Sequence, residues 1–127
     1  MKNTKILSLL LFIQCSCGSG EDTQLILKKA SQVHLEAVSI KKTVDSILVY
    51  EGGKRFDMVI ADSINVVATE WEKGLIEVPG FKEAHGHHHH SHEHDVPKMT
   101  NKEMHEYQVL SRDAIKGILS DLEKIRR

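Results

Sequence analysis

Cysteine occurs only at Cys15 and Cys17, proline only at Pro79 and Pro97, and the aromatics are three Phe, two Tyr and one Trp. With no cysteine beyond position 17, the body of the chain has no disulfide framework. Few aromatics and few turn residues argue against a β-sandwich or barrel, so the core is expected to be Leu, Ile, Val and Ala. Neither sign of charge dominates: 17 Lys and Arg stand against 18 Asp and Glu, and the formal net charge is −1. A basic footprint for nucleic acid is therefore lacking. The apolar run Ile6–Ile13, broken only by Ser8, is too short to span a bilayer, which takes about 20 residues. Also missing are a glycine-rich phosphate loop, a nucleophile motif, a haem-attachment Cys-His and a His-Glu-x-x-His pair. These absences point to a binding protein rather than an enzyme. The chain's 127 residues suffice for one domain.

What is present in excess is histidine: nine residues, of which seven lie between His85 and His94. The second informative feature is the N-terminus. Lys2 and Lys5 precede the apolar run, and both cysteines follow it directly. That order reads as an export signal over residues 1–16, with the lipoprotein pattern in which a cysteine after the run is lipidated. Cleavage before Cys17 leaves the small Ser16 at the cut, whereas cleavage before Cys15 leaves Gln14, so Cys17 is the expected anchor. An ordinary secretory signal with two incidental cysteines is the plainer alternative. Residues 17–22 then form an acidic tether, and losing Lys2 and Lys5 takes the charge from −1 to −3.

Residues 23–127 are expected to fold as an all-α domain, a small antiparallel three-helix bundle. Ile26, Ala30, Val33, Ala37, Ile40, Val44 and Ile47 repeat at alternating spacings of four and three, a heptad seam predicting a helix over 23–50. Lys28, Lys29, Lys41, Lys42 and Asp45 lie off that seam. Gly52 and Gly53 are expected to stop the helix by taking the left-handed conformation. Phe56, Ile60, Ile64, Val67 and Trp71 predict a second helix over 56–73, stopped at Gly74. Thr100 and Glu103 read as a capping box with Met99 and Met104 as its hydrophobic staple, opening a helix over 100–126. The seam of this third helix is Met104, Ser111, Ile115, Ile118, Leu122 and Ile125, with Gln108 in the missing place. The connection 74–99 far exceeds the roughly two to eight residues usual between bundled helices, and its excess is the histidine-rich loop.

His85, His87, His88, His89, His90, His92 and His94 are the candidate metal ligands, with Glu83, Glu93 and Asp95 as nearby oxygen donors. Neutral imidazole suits Zn, Ni or Cu ions, and its reference pKa near 6.5 leaves most rings free at neutral pH. Ordering about 11 residues costs on the order of 10–20 kcal/mol, close to the roughly 10–16 that a good structural zinc site returns. The near balance favours weak to moderate, exchangeable binding, as in a buffer or collector. A solvated spacer is the bland alternative, and a pH sensor a third. His34 is expected to be a partly buried histidine at the bundle edge, and His105 an exposed one. Trp71 is expected to be the aromatic core anchor.

The exported cysteine end, the run Val33-His34-Leu35-Glu36-Ala37 and the run Ala68-Thr69-Glu70-Trp71 together resemble a group of small exported Bacteroidota lipoproteins often labelled "viral A-type inclusion protein". The histidine-rich stretch also resembles the loops of periplasmic zinc- and nickel-uptake proteins. The first resemblance implies a periplasmic or outer-membrane location and a helical fold, and no activity. The expected function is that of a cell-envelope lipoprotein binding transition metal. Its expected partners are the membrane, through the anchor, and a metal transporter or envelope protein. The alternative is a structural lipoprotein whose bundle docks another protein. For the anchor, Cys17→Ala should release the protein from the membrane fraction and abolish lipid labelling. Release by Cys15→Ala alone would move the anchor to Cys15, and release by neither would make the protein a soluble secreted one.

Overall fold

The heptad run beginning at Ile26 lies within a single helix, α1 (Ser19–Glu51), in the computed structural model. Residues 19–52, 54, 57–81 and 97–126 are described. Among them every regular element is helical: α1 is followed by α2 (Met58–Lys73) and α3 (Asn101–Arg126). α1 starts one turn earlier than its apolar period requires. The Asp57 carboxylate caps α2 by accepting from the Val59 N–H at 2.8 Å, and the Gly74 N–H returns to the Glu70 carbonyl at its end. At the start of α3, Glu103 Oε2 accepts from the Thr100 N–H at 2.7 Å and Thr100 Oγ1 accepts from the Glu103 N–H at 3.3 Å. Met104 is buried with Met99 packed against it, so both the capping box and the staple form.

Consecutive helices run antiparallel, which makes α1 and α3 parallel. Asn101 donates to the Thr23 carbonyl at 3.3 Å at one end, and Arg126 pairs with Glu51 at 2.6 Å at the other. This parallel pair carries most of the packing, and α2 adds less to either partner. The packing of α1 on α2 is therefore not the main contact. At about 1.5 Å per residue, the 33 residues of α1 extend roughly 50 Å and the 16 of α2 roughly 24 Å. α2 thus covers only part of the α1–α3 groove.

Two apolar clusters result. Ala37, Val44, Ala68, Ile115 and Leu122 form one, where all three helices meet. Ala30, Val78 and Met104 form the other, with Leu27, Ile76, Phe81, Met99 and Tyr107 packed around them. There the third partner is no helix but the strap 74–81. Pro79 and Gly80 turn it back on itself: the Phe81 N–H bonds the Val78 carbonyl at 3.2 Å, and Gly80 has φ 82°. Proline followed by a residue at positive φ is the type II pattern. Residues 74–81 are therefore packed chain rather than loose linker.

Four expectations need correction. Gly80 is the one glycine at positive φ among the described residues, so Gly52 does not end α1 by a left-handed turn, and Gly53 lies outside the described residues. A Cβ at Gly52 would instead collide with the Leu48 carbonyl oxygen, which accepts from its N–H at 2.9 Å. The buried stripe of α1 is also rotated by about one residue from the apolar period. Ala30, Ala37 and Val44 are buried as expected, but beside them lie His34 and Lys41 rather than Val33 and Ile40. Lys41 is 6% exposed, held by Asp45 at 2.8 Å and Glu72 at 3.0 Å. In α2 the inward stripe is Ala61, Ile64, Ala68 and Trp71, while Ile60 and Val67 are 40% and 54% exposed. In α3, Ile125 is 42% exposed.

Burial works against the Lys41 ammonium, yet its bonds to Asp45 and Glu72 outweigh that and raise its pKa above the ordinary 10.5. A raised folded pKa stabilises below the unfolded value, so this contribution is complete below about pH 10.4 and is lost as pH climbs through the raised one. In urea unfolding, Ala37→Asp should cost about 4 kcal/mol or more, since it buries an unpaired carboxylate. Lys41→Asp should also be costly because it sets a third carboxylate beside Asp45 and Glu72. Gln32→Asp, on the exposed face, should stay within about 0.5 kcal/mol. Equal midpoints for Ala37→Asp and Gln32→Asp would contradict the packed face assigned to α1.

Candidate metal centre

Imidazoles act as ligands only if an unprotonated ring nitrogen is accessible, so the two kinds of histidine in this chain must be separated. His34 is 1% exposed. Its Nδ1 lies 3.0 Å from Gln108 Oε1, while Gln108 Nε2 donates to the Ile76 carbonyl at 2.6 Å. Since the amide nitrogen faces Ile76, its oxygen faces the imidazole, and Nδ1 is the protonated nitrogen that donates. Gln108 is 0% exposed and also approaches Met104 Sδ at 3.6 Å. His34 is thus a core residue in the middle of the bundle, not at its edge. His105, in the first turns of α3, is half-buried rather than exposed. Among the described residues no group of three or more His, Cys, Asp or Glu side chains is placed to hold a metal ion.

The seven candidate ligands His85, His87, His88, His89, His90, His92 and His94 lie in 82–96, outside the described residues, as do Cys15 and Cys17. The structure does describe both flanks of that segment. Phe81 on one side and Met99 on the other pack against the same cluster of Ala30, Val78 and Met104. Tyr107 fastens the strap leading to Phe81: its hydroxyl donates to the Gly74 carbonyl at 2.5 Å and accepts from the Ile76 N–H at 3.2 Å. Glu103 fastens the other flank through Thr100, and the Thr100 N–H bond holds its carboxyl below the ordinary 4.5.

Elsewhere charged groups pair across the bundle. Glu36 joins Lys116 at 2.7 Å and Arg112 at 3.4 Å across the α1–α3 rim. The hydrogen bond from Lys116, aided by the charges of Lys116 and Arg112, lowers its pKa. Trp71 Nε1 donates to the Ser111 carbonyl at 2.9 Å, tying α2 to α3 as well as filling the core. Among the described residues no helix is long and apolar enough to cross a membrane.

No protein-family model, curated protein or solved structure matches the chain. The resemblance to exported lipoproteins rests on the cysteine end, outside the described residues, and on the short runs at Val33–Ala37 and Ala68–Trp71. In the structure those runs supply His34, Ala37, Ala68 and Trp71 to the interior of the bundle.

Apolar periodicity does not register Gln108 as a junction or Tyr107 as a clamp. The signal for Gln108 is its place on a mostly apolar seam that also holds Ser111. Gln108→Leu should destabilise by roughly 2–6 kcal/mol in chemical denaturation, because it strips the His34 Nδ1–H and the Ile76 carbonyl of their partner at about 1–3 each. Adding His34→Leu should recover part of that loss, giving a coupling energy of about 1 kcal/mol or more. Additive effects would mean that the two side chains do not interact.

Proposed function

We propose that this chain is an exported lipoprotein of the cell envelope, anchored through Cys17, whose segment His85–His94 gathers and buffers Zn, Ni or Cu ions. One observation carries the reading. Phe81 and Met99, which flank the fifteen residues 82–96, pack against one cluster, so the described core is closed by residues outside that segment. The connection is also longer than the roughly two to eight residues usual between bundled helices. The composition of the segment is dense in imidazole, with carboxylates at Glu83, Glu93 and Asp95.

Several overlapping ligand sets in such a run give exchangeable binding of modest selectivity. Three or four imidazoles per tetrahedral ion would let the segment serve about two ions. This is binding, not catalysis: no substrate is transformed, and ions pass from the segment to a metal transporter or another envelope protein. The bundle holds the two ends together and keeps His34 out of the exchange by burial and by Gln108. Acidification towards pH 5 protonates the imidazoles and releases the ions.

Deletion of Ala84–Asp95 should remove nearly all Zn, Ni and Cu binding in calorimetric titration. The melting temperature without metal should barely move, since loop-closure entropy changes only with the logarithm of length. Metal should stabilise the intact protein by no more than about 2.7 kcal/mol at a hundredfold excess over the dissociation constant. Metal binding kept by the deletion variant, or a deletion variant unfolded without metal, would overturn the reading.

A further inference from the structure

We draw no further inference here: the strongest candidate, the apolar outer face of α2 formed by Val59, Ile60, Val66 and Val67, carries nothing because no feature of the described residues shows what covers it.

Discussion

His34, Gln108 and the Ile76 carbonyl form one buried hydrogen-bonded chain that joins α1, α3 and the strap. Its place along the bundle gives it weight. On one side α2 completes the core with Ala68, and on the other the strap completes it with Val78. The polar layer thus marks where a helical third partner gives way to an irregular one. In a dry interior an unpaired donor or acceptor costs about 1–3 kcal/mol, so this layer favours a single register of α1 on α3. Sliding α3 by one heptad would set His34 against Ile115 and leave its Nδ1–H without an acceptor. Buried polar residues fix register in coiled coils in the same way. The parallel direction follows from the same topology, since α2 and the strap together carry the chain back to where α1 begins.

Much of this fold is legible in the sequence, and the parts that are not have physical reasons. Helix limits are readable because they depend on local chemistry: the Thr100–Glu103 box and the stop at Gly74 each act within a turn. The apolar repeat of α1 finds Ala30, Ala37 and Val44. It misses His34 and Lys41 because each is polar and has a partner distant in sequence, Gln108 for one and Glu72, beside the local Asp45, for the other. In α2 the β-branched residues Ile60 and Val67 outweigh the small Ala61 and Ala68 in any apolar period, yet close approach of helices selects the alanines. The strap escapes because its side chains pack singly, at Ile76, Val78 and Phe81, with no helical period. The histidine-rich segment is legible only as composition, because the binding proposed for it needs a density of imidazoles rather than a shape.

Fold and proposed function divide along these lines. The stability of the bundle comes from the α1–α3 pair and its two apolar clusters, none of whose members is a candidate metal ligand. Phe81 and Met99, the flanks of 82–96, pack against one cluster, so under the proposed function a change of ligands there would require no movement of a helix. The ordering entropy would then offset much of the coordination energy and keep ions exchangeable. Residues 19–22, expected as part of a tether, are the first turn of α1, and the flanks of 82–96 lie at the same end of the bundle, since Phe81 and Met99 pack with Leu27 and Ala30 in the N-terminal half of α1.

Native-state hydrogen exchange on the full chain, with zinc and after its removal by a chelator, tests this division most directly. The amides of Ala30–Val44 and Met104–Leu122 should be the slowest to exchange, at the same rates in both conditions. Slow exchange of those amides only in the presence of zinc would make metal part of the fold and contradict the account.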